Sequence, residues 1–184
     1  MLSLPRACLW LVVVIAAACS REREGSPTDR GAGLTVVELP PAERAGAYAA
    51  ALRGAFDLGP GLVLLVNPAL LPRGRDEEVA ADTMAPEVVE ALDASRVVQG
   101  RCTPSAAAET MAPICPGANA GYVVRFSELF GAGGDTVQLY VTFESYRPSQ
   151  DTSAYQAPIR LEQRYELAKR GRAWVVARKE RLAK

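Results

Sequence analysis

The pattern of apolar and polar positions changes twice along the chain. An uninterrupted apolar run covers residues 9–18 and ends at a cysteine. A charged, glycine-containing stretch follows over residues 19–33, with almost no apolar side chain able to join a core. Beyond it, apolar residues recur at the spacings of helices and then of strands. The pattern therefore divides the chain into residues 1–18, 19–33 and 34–184, and we expect the last to form one globular domain.

Two helices are expected in the first half of this domain. Pro40 and Pro41 open the first helix, because proline is tolerated in the first helical turn, and the Gly-Pro-Gly sequence at residues 59–61 ends it. Its apolar positions at helical spacing are Ala45, Tyr48, Ala49, Leu52 and Phe56. The second helix is expected from Pro86 to residue 95. Its candidate buried positions are Val88, Val89 and Leu92.

Strands are expected between and after these helices. Residues 62–66 form a continuous apolar run typical of a buried strand, and residues 35–39 and 96–100 are further short candidates. From residue 121 onward apolar positions alternate with polar ones, which predicts antiparallel hairpins with one solvated face. Turns are expected at residues 131–135 and 170–171. The predicted fold class is α+β, with an antiparallel meander sheet of about four to six strands packed with two N-terminal helices.

Residues 1–18 have the three parts of a secretory signal. Arg6 and the terminal amine make its beginning positive, residues 7–15 are apolar, and three alanines precede Cys19. The apolar part is about a dozen residues long, whereas a membrane-spanning helix needs about 20. We therefore expect a cleaved signal peptide instead of a permanent transmembrane anchor.

The junction from Ala16 to Cys19 resembles the lipobox of bacterial lipoproteins, although Ala16 stands where that family usually has Leu. The resemblance implies that Cys19 becomes the first mature residue and carries the lipid. It also implies a lipid-anchored location on the extracytoplasmic side of the bacterial cell envelope. Ser20 favours the outer membrane if the organism has one. Residues 19–33 are then a flexible tether. Ordinary secretion stays open, because Ala16 and Ala18 also satisfy the general signal peptidase.

The number of cysteines favours lipidation over ordinary secretion. Of the four cysteines, Cys8 leaves with the signal, and acylation of Cys19 leaves Cys102 and Cys115. Two thiols in an oxidising compartment normally pair. The segment between them is rich in small residues and proline, as a loop is, so we expect a structural disulfide. A metal or redox role is disfavoured because the spacing is not Cys-x-x-Cys.

Composition excludes several classes of function. Basic and acidic residues number 21 each, so no basic excess indicates a nucleic-acid partner. The chain has no histidine, which excludes Ser-His-Asp and Cys-His catalysis and His-ligated zinc or haem. No cofactor or metal is expected, and no residue is assigned a catalytic role.

Other candidate sites are better explained by structure. Residues 76–78 with Asp82 lack the ligand spacing of a calcium loop, and the glycines at 131–134 lack the lysine of a phosphate-binding loop. Ser127 has no base partner visible in the sequence. Trp174 and the alternating aromatic residues are expected in the core. Asp57 and Asp93 are expected to cap helices or lie at the surface. Four alternating charges are expected to pair across strands on the exposed face: Arg160, Glu162, Arg164 and Glu166.

The last third of the chain is similar to the curved sheets of NTF2-like and cystatin-like proteins and to uncharacterised bacterial secreted proteins. The similarity lies in the segment at residues 122–130, the segment Gly-Asp-Thr-Val-Gln-Leu-Tyr-Val at 134–141, and the final Gly171-x-x-Trp174-x-Val176 strand. It implies a curved sheet and, by itself, no activity.

These observations predict a membrane-anchored lipoprotein whose domain is a non-enzymatic binding or scaffolding module. Its expected partner is the membrane, through the lipid on Cys19, and an envelope protein partner stays open. The alternative is an NTF2-like domain that binds a small ligand, or acts as an enzyme, in a pocket between helices and sheet. A deep pocket holding a buried carboxylate or arginine would favour the alternative. A filled apolar interface would favour the binding module.

Overall fold

The fold is seen in a computed structural model, which describes residues 34–56, 61–72, 82–103, 114–118, 120–146 and 160–182. Within these ranges two helices accompany one mixed sheet of seven strands. In chain order the elements are α1 (Pro41–Ala55), β1 (Leu64–Val66), α2 (Pro86–Ala94), β2 (Gly100–Arg101), β3 (Gly121–Phe126), β4 (Phe130–Gly133), β5 (Thr136–Tyr146), β6 (Arg160–Arg170) and β7 (Ala173–Leu182). The α+β class with a single sheet is therefore confirmed.

Helix α1 begins at Pro41, as the paired prolines predict, and it is buried on most of its circumference. Its many alanines and two glycines let neighbouring elements come close, and it packs against α2, β6 and β7. Gly54 lies so close to β7 that an added Cβ would be 2.5 Å from Cγ2 of Val176. The helix ends at Ala55, because Phe56 is already extended.

The prediction of a purely antiparallel sheet was wrong. Strand β1 pairs in parallel with both β2 and β3. Helix α2 lies between β1 and β2 in the chain and supplies the crossover that parallel neighbours need. The continuous apolar run of β1 fits this arrangement, because strands inside a parallel region are covered on both faces. The number of strands was also underestimated, since β2 and β4 are short.

The remaining strands are antiparallel, and β5 pairs with three of them, β3, β4 and β6. The second half of β5 pairs with β3, and its first half pairs with β4. Residues 127–129 therefore form a break between β3 and β4, and both of these strands pair with β5. The predicted turn at residues 131–135 is partly strand β4, and only Gly134 and Asp135 form the turn. The sheet order is β2-β1-β3-β5-β6-β7. Strand β7 carries a bulge at Ala177, because Leu167 pairs with Val176 and Glu166 with Arg178.

Two other predicted strands are shorter than expected. Residues 35–39 contribute one isolated bridge, from Val36 to Phe130. In the region predicted at residues 96–100, only Gly100 is in a strand, since Arg96 turns the chain after α2 with a φ of 56°. The helix positions Val88, Val89 and Leu92 are buried as predicted.

The sheet has a helix face and an opposite face. The main core fills the helix face, with Val124, Phe126, Leu139 and Leu167 packed against α1 and α2. Two smaller clusters cover parts of the opposite face. One contains Leu65, Val123 and the two bonded cysteines, and the other contains Leu71, Phe130 and Tyr140.

One end of the sheet gathers three chain segments. The amide of Gly131 donates to the carbonyl of Thr35 at 2.9 Å, which holds the start of the described domain beside β4. The amide of Lys169 donates to the carbonyl of Asp135 at 2.9 Å, which joins the β4–β5 turn to the end of β6. Leu34 therefore lies at the end of the sheet where both hairpin turns lie.

Candidate functional site

The predicted lipidation residue, Cys19, lies outside the residues that the structure describes. The other two predicted residues, Cys102 and Cys115, lie at disulfide distance, with their sulfur atoms 1.99 Å apart. The amide of Cys102 donates to the carbonyl of Val66 at 2.8 Å, and the amide of Thr103 donates to that of Ile114 at 2.8 Å. These hydrogen bonds attach the cysteine pair to the parallel edge of the sheet.

The disulfide packs as a structural element. Both cysteines are buried with Leu65 and Val123 on the opposite face of the sheet, and the side chain of Tyr146 packs beside them and accepts a 3.4 Å hydrogen bond from the Cys115 amide. A bridge here covers apolar surface that neither helix reaches. This arrangement agrees with the structural role expected from the sequence.

Aromatic and aliphatic side chains fill the interface between α1 and the sheet. Tyr48 stacks on Phe126 with ring centroids 4.4 Å apart. Phe56, just beyond the helix, meets the edge of Phe143 at 4.9 Å. Phe126 and Phe143 are thus core residues, as predicted, in the region where the alternative function requires a pocket, whereas the prediction was wrong for Tyr122, which is exposed.

An ion pair that the sequence analysis missed lies at the border of this interface. Nη1 of Arg44 on α1 is 3.3 Å from Oε2 of Glu128 in the β3–β4 break, and the side chains are 10% and 12% exposed. Nη2 of Arg44 is 3.2 Å from Oε2 of Glu38, whose side chain is 87% exposed. Arg44 and Tyr48 are four residues apart and therefore lie on the same face of α1. This spacing is the sequence signal that could have revealed a charged side chain on the buried face of the helix. A charge at a core-facing helix position requires a partner.

The hydroxyl groups beside this pair are used in main-chain hydrogen bonds. Tyr48 donates to the carbonyl of Ser127 at 3.1 Å, and burial raises the pKa of its phenol well above the ordinary value. The Ser127 hydroxyl accepts from the Tyr140 amide at 2.9 Å and donates to the Glu128 carbonyl at 2.6 Å. Ser127 therefore stabilises the break between β3 and β4, and its hydroxyl is not positioned as a nucleophile.

Trp174 of β7 packs against the N-terminal half of α1. Its Cδ1 would lie 3.7 Å from a Cβ added at Gly46, and its ring is partly buried against the main core, as predicted. Its indole nitrogen is buried without a hydrogen-bond partner among the described residues. Nζ of Lys169 lies 5.8 Å from the ring centroid and 2.5 Å from Oε1 of Glu43, so one lysine connects β6, β7 and α1.

Charged side chains pair across β6 and β7 on the opposite face at two of the four predicted positions, Arg164 and Glu166, whereas Glu162 is in register with Leu182. Nη2 of Arg164 is 2.5 Å from Oε2 of Glu180, its partner in register, and Nη1 of Arg178 is 3.8 Å from Oε1 of Glu166. This face is less exposed than expected, because Glu162 is buried. These contacts explain the alternation as sheet stabilisation.

Arg125 of β3 links the same face to the loop after β1. It donates to the carbonyls of Ala69 and Leu70 at 3.2 and 3.1 Å. Burial lowers the pKa of its guanidinium, with Arg160 contributing in the same direction. Arg125 therefore has a structural role, because its hydrogen bonds fix the loop after β1 to strand β3.

The acidic residues considered as possible cation ligands or helix caps lie only partly within the described residues. Residues 76–78 and Asp57 lie outside the described residues. Asp93 pairs with Arg101, which agrees with a surface role. In the described ranges no three Cys, Asp or Glu side chains come together as a metal site would require.

Two further observations concern the membrane and similarity to known proteins. Neither helix in the described parts of the chain has the length and apolar character to cross a membrane. Comparison with protein-family models, curated proteins and solved structures found no match to this chain.

Proposed function

We propose that the protein is a lipoprotein of the bacterial cell envelope, held at the membrane by acyl chains on Cys19, and that its α+β domain is a non-enzymatic binding or scaffolding module. The observation that carries the proposal is the pairing of thiols. Cys102 and Cys115 lie at disulfide distance from each other, and Cys8 belongs to the proposed signal. Cys19, at the lipobox, is the thiol that stays available for acylation.

The physical chemistry of the anchor supports this assignment. Each buried methylene group contributes about 0.8 kcal/mol, and two or more acyl chains make a stable anchor. Residues 19–33 contain glycine, proline and charged residues. A flexible chain of that length has a root-mean-square end-to-end distance of about 20 Å. The domain would then work close to the bilayer without being part of it.

The filled interface supports the binding module over the pocket-containing alternative. Tyr48, Phe126 and Phe143 occupy the space between α1 and the sheet. One observation favours the small-ligand alternative, namely the buried Arg44–Glu128 pair. Because these two charges neutralise each other, they leave no uncompensated charge to recruit a ligand, and we retain the binding module as the leading proposal.

Membrane fractionation of a Cys19→Ala variant tests the anchor. Wild-type protein should stay with the membrane through a high-salt wash, and the mass of its N-terminal peptide should include a diacylglyceryl group on Cys19. The Cys19→Ala variant should lose both properties. A Cys8→Ala variant is the matched control and should behave as wild type. Salt-resistant membrane binding of Cys19→Ala, with unchanged size, would disprove the anchor.

A further inference from the structure

Strand β7 forms a long edge of the sheet. It is the last strand in the sheet order, and β6 is its partner among the described residues. It is 10 residues long, whereas β2 at the other edge has 2. An edge strand presents alternate main-chain N–H and C=O groups outward, where another extended segment can pair with them.

The turn before β7 and the strand itself are basic in a chain that is neutral as a whole. Residues 169–182 contain six basic residues and one acidic residue, while the full chain has 21 of each kind. The acid, Glu180, lies 2.5 Å from Arg164. Two of the six cations have acidic partners within the domain, Lys169 with Glu43 and Arg178 with Glu166. The Arg178 side chain is 64% exposed, and the side chains of Arg170, Arg172 and Arg181 are exposed, so their charge faces the solvent.

The same features oppose pairing of β7 with a second copy of itself. A full-length antiparallel β7–β7 contact would set Arg178 opposite the bulge at Ala177 and Arg181 opposite the apolar Trp174 of the second copy. A shorter overlap of the two C-terminal halves would set Arg178 opposite Arg181, and like charges on paired strands are destabilising. Bulges and lysines are also devices that prevent edge-to-edge association. A segment with acidic residues at these positions would avoid the repulsion.

We propose that the outer edge of β7 binds an extended acidic segment of another protein by strand addition. The acidic half of that segment lies opposite Arg178 and Arg181, and its apolar half lies opposite the Ala173–Val176 half of the strand. Lys179 is not counted among these cations, because its Nζ donates to the carbonyl of Gly54 at 2.9 Å. This inference rests on the proposed function as a binding module, and it identifies the outer edge of β7 as the binding surface. It does not depend on acylation of Cys19.

Amide hydrogen exchange tests the proposal on the full chain purified in a non-ionic detergent. The probe is a synthetic peptide of the length of β7 with Glu in one half and Val in the other (the Glu–Val peptide), and a Lys–Val peptide of the same layout is its matched control. The Glu–Val peptide should protect β7 amides, and protection should weaken as salt is added. Arg181→Glu should reduce its affinity about fivefold or more, the effect of about 1 kcal/mol at an exposed pair.

The Arg53→Glu variant makes the same change of charge on the exposed side of α1 and should bind the peptide as wild type does. Equal protection by the Lys–Val peptide, protection away from β7, or equal losses in Arg181→Glu and Arg53→Glu would overturn the proposal, as would the absence of protection at low salt. Failure of the anchor is a separate result, because it changes membrane retention and leaves peptide binding intact.

Discussion

Arg44 and Glu128 form an ion pair between α1 and the β3–β4 break, 3.3 Å apart and with side chains only 10% and 12% exposed. Removing one partner of a buried pair leaves an uncompensated charge. We expect Glu128→Ala to lower the free energy of unfolding by about 3 kcal/mol. Urea unfolding followed by circular dichroism measures the change.

Two further variants separate the charge effect from the loss of packing. Glu38→Ala removes the exposed partner of the same arginine, and we expect a loss below about 1 kcal/mol. The double variant Arg44→Leu with Glu128→Leu should be more stable than Glu128→Ala, because apolar residues often replace a buried pair at little cost. Equal losses in Glu38→Ala and Glu128→Ala would contradict the importance of the buried pair.

Alkaline pH should destabilise the protein through two buried phenols. Burial raises the pKa of Tyr48 and of Tyr165 above their ordinary value of 10.0. The folded state keeps these protons at a pH where the unfolded chain loses them. Stability is therefore fully present below pH 10 and is lost as the pH rises above it, by about 1.4 kcal/mol per pH unit for each phenol.

The variants Tyr48→Phe and Tyr165→Phe should each remove one such contribution. Urea unfolding at about pH 11 and at about pH 8 separates this titration from the lost hydrogen bonds, which include the bond from Tyr48 to Ser127. An alkaline slope in both variants as steep as in wild type would show that these phenols are not responsible.

The two glycines of α1 should respond in opposite ways to alanine. A Cβ at Gly46 would meet Cδ1 of Trp174 at an ordinary 3.7 Å, so Gly46→Ala should stabilise the protein by about 0.5–1 kcal/mol through helix propensity. A Cβ at Gly54 would lie 2.5 Å from Val176, so Gly54→Ala should destabilise it by about 1–2 kcal/mol through overpacking. Thermal unfolding of both variants compares them, and the same sign of change in both would refute the packing argument.

The Cys102–Cys115 bridge should stabilise the domain without any catalytic role. The cysteines are 13 positions apart, and a loop of this size corresponds to about 3 kcal/mol in the chain-entropy description. Replacing both cysteines with alanine should lower the free energy of unfolding by about that amount. Thiol labelling of the native protein checks the bridge itself, and modification of both cysteines before unfolding would refute it.

The spacing of apolar residues predicted the helices and strands in which each face has a single kind of environment, either the core or polar partners. Val88, Val89 and Leu92 of α2 are buried because one helix stripe meets one core. The alternation in β6 survives because Tyr165 and Leu167 face the helices, while Arg164 and Glu166 face their ionic partners. The hairpin turn at Gly171 follows from its positive φ of 63°, which glycine adopts without strain.

Structural features that depend on residues far away in the sequence could not be predicted from local spacing. The parallel pairing of β1 depends on where α2 returns the chain, and three residues carry no sign of direction. Phe130 and the glycines after it form strand β4 because β5 offers a partner, which overrides their turn propensity. Arg44 and Glu128 are remote in sequence, and only the fold brings them together.

The position of Leu34 gives the domain a direction relative to an anchor on its N-terminal side. The described part of the chain begins beside the two hairpin turns, and β7 starts at that end and runs away from it. If Cys19 holds the chain, the turns form the membrane-proximal half and residues 178–181 belong to the distal half. Arg178 and Arg181 would then lie away from the bilayer, towards proteins that approach from the aqueous space, while Arg170 and Arg172 at the turn would lie on the bilayer side.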